Sequence, residues 1–159
     1  MNKNILSRYH ALIEILGLVL ILASFAVAIA AMASGKVIPS NYDFAGNIKD
    51  YDKPGFLIMM PIVMLISNGT MSLILHFVSF SSWNMPVKVK PGRERAVYGC
   101  VGYMIAIMEL LFGIFTLAFT LFSSAALGKM MMPLSVFLVV AIFADIIVCC
   151  VLAVKLNGR

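Results

Sequence analysis

"ALIEILGLVLILASFAVAIAAMAS", residues 11–34, has the composition of a membrane-spanning helix, because a single charged residue, Glu14, interrupts a run of apolar and small side chains. A bilayer core is roughly 30 Å thick, and a helix rising about 1.5 Å per residue crosses it in about 20 residues. Three further runs of this kind occur near residues 55–80, 97–123 and 133–155. With 62% apolar residues, 12% charged residues and a mean hydropathy of +1.03, the chain lies outside the range of soluble domains. The sequence predicts an integral membrane protein.

The four runs are continuous and lack the alternation of a membrane strand, so the prediction is helical rather than a closed barrel. We expect an all-α fold: one domain covering residues 1–159, with four transmembrane helices in an antiparallel bundle. Lys3 and Arg8 followed by the small residues 31–33 could also form a signal peptide. The length of the first run and the charge of Glu14 favour a retained helix instead.

Basic residues in the short connections predict the orientation, because Lys and Arg resist translocation across the membrane. One side carries eight: Lys3, Arg8, Lys88, Lys90, Arg93, Arg95, Lys155 and Arg159. The other side carries four: Lys36, Lys49, Lys53 and Lys129. We therefore expect both termini in the cytoplasm. The net charge of +5 then comes mostly from residues next to the membrane, where basic side chains are attracted to anionic lipid headgroups. The sequence shows no signature of nucleic-acid binding.

The connection between the first two helices, residues 38–53, "IPSNYDFAGNIKDYDK", then lies outside the cell. Pro39, Asn41, Asp43 and the Gly46 region carry turn chemistry, so a compact, turn-rich loop is expected. A solvated connector is one interpretation. The loop is longer than two neighbouring helices need, and long ordered loops are often functional, which favours a binding role.

The order of residues in this loop resembles the SdpI-type membrane protein family. More narrowly, it resembles that family's N-terminal unit, domain of unknown function sixteen-forty-eight. The likeness rests on Pro39, Tyr42, Gly46, Tyr51 and Lys53, with Asn41 where the family usually has histidine. In the second loop it rests on Asn84, Pro86 and Tyr98. The resemblance implies a bacterial inner-membrane immunity or sensor protein whose outer loop binds an external peptide or envelope component.

Polar residues inside the predicted helices form a second candidate site. Counting from the outer helix ends places Asn68, Glu109 and Asp145 at one depth near the midplane. Ionisable groups are costly there and usually face a partner or a cavity. Two nearby carboxyl groups in a low dielectric do not both ionise, so one is expected to keep its proton. Hydrogen-bonding glue between helices, a proton or ion pathway, and a polar pocket all remain open.

His10, Glu14 and His76 should gather near the cytoplasmic ends of the first two helices, as interfacial side chains rather than metal ligands. The sequence shows no catalytic motif, so we expect no enzyme activity, no cofactor and no metal site. Among the basic residues of the cytoplasmic loop, Lys88, Lys90, Arg93 and Arg95 could contact lipid headgroups or dock a cytoplasmic regulator. Ala26, Ala30 and Ser34 form a small-residue stripe for close packing in the bundle or with a second copy.

Three classes of function therefore compete: a binding and protection module, a small proton- or ion-coupled carrier using Glu109 and Asp145, and a structural subunit of a membrane complex. The resemblance puts the binding module first. In that interpretation the outer loop is the recognition surface, and the cytoplasmic loop transmits any signal.

Overall fold

The structure, a computed structural model, describes residues 5–83, 85 and 88–158. Four long helices follow the predicted runs: α1 (Arg8–Ser34), α2 (Met59–Phe77), α3 (Glu94–Ser124) and α4 (Met131–Gly158). Short 3₁₀ segments occur at Pro54–Ile58, Phe80–Ser82 and Gly128–Met130. With the 3₁₀ turns that lead into α2 and α4, all four are long and apolar enough to cross a membrane. The prediction of an all-α membrane protein with four transmembrane helices is confirmed.

The helix ends differ from the predicted ones by a few residues. Pro54 opens a 3₁₀ turn rather than an α-helix, since its fixed φ suits a first turn and it needs no amide hydrogen bond. The second helix ends at Phe77, earlier than predicted, because Val78 is already extended. The third and fourth helices begin a turn or less before their apolar runs, as polar or turn residues can extend a helix beyond the bilayer core.

The tightest packing in the bundle joins α1 to α3, which share the most extensive helix contact. Two glycines make this approach possible. A Cβ on Gly113 would lie 2.5 Å from the Gly17 carbonyl oxygen, and a Cβ on Gly17 would lie 2.8 Å from the Glu109 carbonyl oxygen. Small residues at such crossings let helix backbones touch, which is the main source of packing energy where lipid replaces water.

Two apolar clusters mark the opposite ends of the bundle. One gathers residues from α2, α3, α4 and the turn after α2: Leu75, Phe80, Val101, Ile105 and Cys149. The other joins Ala28 of α1 and Leu57 of the first 3₁₀ turn to Ile38, which begins the connection between α1 and α2. The second cluster anchors the base of that connection against the helices.

The connection itself forms two short strands, β1 (Ile38–Tyr42) and β2 (Ile48–Asp52), paired antiparallel. We call residues 38–52 the outer hairpin, after the side of the membrane that the sequence predicts for it. Ile38 lies opposite Asp52, and Tyr42 lies opposite Ile48, with irregular register between them at Asn41. The sequence predicted a turn-rich loop without strands, because Pro39 and three acidic residues give a weak strand signal.

Candidate functional site

The turn of the outer hairpin is held by Asp43 and Asn47. The Asn47 backbone N–H donates to Asp43 Oδ1 at 2.8 Å, and the Asn47 side-chain amide donates to Asp43 Oδ2 at 2.9 Å. Backbone bonds from Asp43 to Asn47 and from Gly46 to Asp43 close the same turn. The bonds from the Asn47 side chain and then from its backbone lower the pKa of Asp43, because they stabilise the carboxylate. Asp43 therefore works as an ionised turn-former at neutral pH.

The hairpin docks on the turn between α3 and α4. A Cβ on Gly128 would overlap the Tyr42 ring, so the ring lies directly on the glycine backbone. Lys129, the residue after Gly128, is in close contact with Gly46: a Cβ on Gly46 would lie 2.6 Å from the Lys129 α-carbon. Gly46 also has a φ of +80°, a backbone conformation that favours glycine. Partial burial, and then the neighbouring Tyr51 phenol, raise the pKa of Tyr42. These contacts fix the hairpin to the bundle at its turn.

The predicted outer-loop residues divide into two groups. Pro39 and Gly46 are buried and Tyr42 is half-buried, so these three shape and anchor the hairpin. In contrast, Asn41, Tyr51 and Lys53 are exposed and available to a ligand. The Tyr51 side chain is 62% exposed on β2, all of whose residues are exposed.

Phe44 belongs with the exposed group, although sequence reasoning missed it. It stands at the tip of the hairpin and is 91% exposed. Its exposure could have been predicted from its position between Asp43 and Gly46, the two residues that make the turn, because a side chain at the tip of a turn is usually exposed. An exposed phenylalanine on an ordered tip is typical of a contact surface.

Three of the concave regions among the described residues border the hairpin. A cleft of about 360 Å³ lies between β1, the end of α1 and the end of α3, and is lined in part by Lys36, Pro39, Tyr51 and Ser124. A second, of about 240 Å³, lies between the hairpin tip and the start of α4, with Tyr42, Phe44 and Met131 among its walls. A third, of about 480 Å³, runs along Gly46, Ile48 and the α3–α4 turn. The outer hairpin thus creates the concave surface at its end of the molecule.

Glu109 lies where α1, α2 and α3 meet in the interior. Its side chain is 1% exposed, and its carbonyl oxygen accepts a 3.3 Å hydrogen bond from the Asn68 side-chain amide. Gly17 of α1 packs on the same carbonyl. The structure therefore brings together two of the three residues of the predicted intramembrane cluster, Asn68 and Glu109.

Glu14 faces the same region from α1. Its Oε2 atom accepts a 3.0 Å hydrogen bond from the Ser72 hydroxyl and lies 2.9 Å from His76 Nε2. The predicted association of Glu14 with His76 is confirmed. His10 is elsewhere: its ring stacks on Tyr103 at 3.8 Å and contacts the Gly99 carbonyl, because α1 packs on α3 at this height.

A cavity of about 230 Å³ separates these groups. Its polar walls are Glu14, Asn68, Ser72 and Glu109, and its remaining walls are Ile15, Leu18, Leu65 and Gly69. We call it the three-helix cavity. Asp145 does not line it, although the predicted cluster included Asp145, because equal depth along a helix leaves the rotation of that helix open. Its Oδ2 atom is buried on α4 with no hydrogen-bond partner among the described residues.

The basic loop lies at the end of the bundle opposite the hairpin. Lys88, Lys90 and Arg93 are exposed in this loop, and Arg95 is exposed in the first turn of α3; Asn84 and Pro86 fall outside the described residues. Asn157 at the end of α4 clasps this loop: its side-chain amide donates to the Lys88 carbonyl at 2.9 Å, and its Oδ1 accepts from the Lys90 backbone N–H at 2.8 Å. Within the described part of the chain, no group of three His, Cys, Asp or Glu residues is placed to hold a metal ion.

The helices and the two candidate sites define a polytopic membrane protein with a docked outer hairpin and a polar cavity among three of its helices. Comparison with protein-family models, curated proteins and solved structures finds no match to the chain. The resemblance to the SdpI-type family therefore stays a prediction.

Proposed function

We propose that this protein is a bacterial inner-membrane protein of the SdpI-like immunity or sensor type, and that its outer hairpin binds an external peptide or cell-envelope component. In this proposal both termini are cytoplasmic, following the excess of Lys and Arg at that end of the helices. The hairpin then faces outward. The resemblance of its residues to the family loop supports the same assignment.

One observation carries the proposal: the hairpin is anchored to the bundle at its turn and also carries two exposed aromatic rings. Tyr42 and Gly46 lie against the α3–α4 turn, while Phe44 and Tyr51 are exposed and line clefts beside the hairpin. Rigid, exposed aromatic side chains contribute contact area at a small cost in conformational entropy, which is why they are frequent in binding surfaces. A plain connector between two helices would need neither the anchor nor the exposed rings.

The form of the hairpin suits an extended peptide. In the described residues β2 pairs with β1 alone, so its second edge offers free backbone N–H and C=O groups. Extended peptides commonly bind by adding a strand to such an edge. The cleft beside Tyr51 would then accept a peptide side chain, with Lys36 at its rim.

The remaining partners follow from the same arrangement. The lipid bilayer surrounds the helices, and the exposed Lys88, Lys90, Arg93 and Arg95 would contact headgroups or a cytoplasmic regulator. Ala26, Ala30 and Ser34 are exposed on α1, so this stripe is free to pack on a second copy as a homo-oligomer. A carrier that uses Glu109 with Asp145 has less support, since Asp145 does not line the three-helix cavity. No observation favours a structural subunit.

The test is protection of a toxin-sensitive bacterium that produces the protein, challenged with peptides secreted by neighbouring strains. We expect survival with the wild type and its loss in Phe44→Ala and Tyr51→Ala at equal membrane abundance. A fall in affinity of about tenfold corresponds to ~1.4 kcal/mol of binding free energy, a usual effect of removing one central aromatic. Phe77→Ala is the matched control, because Phe77 is an exposed aromatic at the other end of α2. Unchanged protection in both hairpin variants would contradict the proposal.

A further inference from the structure

Three buried oxygen atoms on residues that line the three-helix cavity have no hydrogen-bond partner among the described residues. They are Glu14 Oε1, Asn68 Oδ1 and Glu109 Oε1, and no described residue donates to any of them. Asn68 is 5% exposed and Glu109 is 1% exposed, so solvent does not replace the missing donors. Buried polar atoms in folded proteins almost always have a partner. Three unpaired acceptors around one cavity indicate that a hydrogen-bond donor belongs there.

The charges in the cavity specify the donor further. Two carboxyl groups line the cavity, that of Glu14 from α1 and that of Glu109 from α3. Among the described residues, the basic side chain beside them is His76, which contacts Glu14. His76 contacts the other oxygen of Glu14, Oε2, together with Ser72, and so leaves Oε1 unpaired. A positively charged donor would complete the cavity, whereas an anion or a pure acceptor would be repelled.

The shape of the cavity favours an amphiphile over a bare ion. Its volume of about 230 Å³ is several times the roughly 30 Å³ that one water molecule occupies in the liquid. Ile15 and Leu18 form part of its wall and are 56% and 39% exposed on the outer surface of α1. Across the cavity, a Cβ on Gly69 would meet nothing within 4 Å. The cavity thus opens sideways, between α1 and α2, toward the acyl chains.

We propose that the three-helix cavity binds a membrane-dissolved primary ammonium compound with an apolar tail. An ammonium group carries three N–H donors, which matches the three unpaired acceptors of Glu14, Asn68 and Glu109. Charge-assisted hydrogen bonds to the two carboxyl groups hold the head, and the tail leaves past Ile15 and Leu18 into lipid. This site is separate from the outer hairpin, and it does not depend on the function proposed for the hairpin.

The test measures binding of octylammonium chloride to the purified full chain in lipid nanodiscs, by calorimetry at pH 7 with empty nanodiscs subtracted. Octylamine is protonated at this pH, since alkyl ammonium groups resemble the lysine side chain with a pKa of about 10.4. We expect saturable binding to the wild type and about tenfold or greater weakening in Glu109→Gln, which keeps the shape of the side chain but cannot carry a negative charge opposite the ammonium group. Asp145→Asn is the matched control, because Asp145 is an acid within α4 that does not line the cavity.

A second variant guards against a Glu109→Gln protein that fails to fold. Gly69→Leu fills the mouth of the cavity, where an added side chain has room, and leaves both acids in place. It should weaken octylammonium binding by a similar factor. The proposal is overturned if the wild type gives no heat beyond empty nanodiscs, if Asp145→Asn weakens binding as much as Glu109→Gln, or if folded Gly69→Leu binds like the wild type. Saturable sodium binding in place of octylammonium binding would also overturn it and assign an inorganic cation.

Discussion

Glu14 on α1 and Glu109 on α3 face one cavity, and each has its Oε1 atom buried with no hydrogen-bond partner among the described residues. The two residues are far apart in sequence and meet because Gly17 lets α1 lie directly on the backbone of Glu109. The close contact at Gly17 thus brings the two acids to one polar site in the interior. The Oε2 atom of Glu14, unlike its Oε1 atom, contacts Ser72 and His76 of α2.

The Glu14–His76 contact should couple α1 to α2. Replacing His76 with alanine removes one of the two groups that contact Glu14 Oε2, at 2.9 Å. Side-chain hydrogen bonds between membrane helices contribute about 0.6 kcal/mol on average, so we expect a loss of that order in unfolding free energy. The measurement is a double-mutant cycle of Glu14→Ala and His76→Ala, unfolded in mixed micelles.

Additive effects in that cycle would contradict the coupling. Thr70→Ala provides the control on the same helix, because the Thr70 hydroxyl bonds only its own helix, to the Ile66 carbonyl at 2.9 Å, among the bonds described. Its change should be independent of Glu14.

Gly113 should tolerate no side chain. A methyl group there would lie 2.5 Å from the Gly17 carbonyl oxygen, so Gly113→Ala must push α1 away from α3. Overpacking of this kind costs about 1–3 kcal/mol. We expect a lower melting temperature in detergent and a lower yield of monodisperse protein. Gly69→Ala is the matched control, since its methyl meets nothing within 4 Å; equal losses in both variants would exclude a specific α1–α3 contact.

The four helices could be predicted because length and apolarity are local properties of the sequence. Asn68 and Glu109 could be paired by counting along the helices, since two residues at one depth are able to meet. The same count grouped Asp145 with them, and the structure separates it, because depth says nothing about helix rotation. Glu14 was assigned to a helix end with His76, and only the packing of α1 on α3 brings it to the cavity with Glu109.

The strands of the outer hairpin could not be predicted from the sequence either. Pro39 and the acidic residues around Tyr51 weaken the local strand signal, whereas the hairpin is held by contacts with distant residues. The Tyr42 ring packs against Gly128, and Gly46 packs against Lys129. The turn residues were recognised from their chemistry, but their docking partners lie on another connection.

Gly128 should control how firmly the hairpin docks. In Gly128→Ala the added methyl would overlap the Tyr42 ring and lift the hairpin from the α3–α4 turn. If docking weakens by ~1 kcal/mol, the open form becomes about fivefold more populated. We expect trypsin to cut after Lys49 faster by about that factor, measured by mass spectrometry in detergent. Gly158→Ala is the control, because its methyl would have no neighbour within 4 Å, and it should match the wild type.

The hairpin turn should loosen in acid through Asp43. The ordinary pKa of this group is 3.8, and hydrogen bonds from the Asn47 side chain and backbone lower the pKa in the folded turn. Because the folded value is depressed, the stabilisation is fully present above 3.8 and is lost as the pH falls through the lowered value. We expect the Asn47 backbone amide, which donates to Asp43 Oδ1, to be protected from hydrogen exchange at neutral pH. Asp43→Asn should lack this pH dependence. The Asn47 amide should therefore exchange faster in the variant than in the wild type at neutral pH, and the ratio of the two rates should approach one in acid. A ratio that stays constant with pH would mean that Asp43 ionisation does not hold the turn.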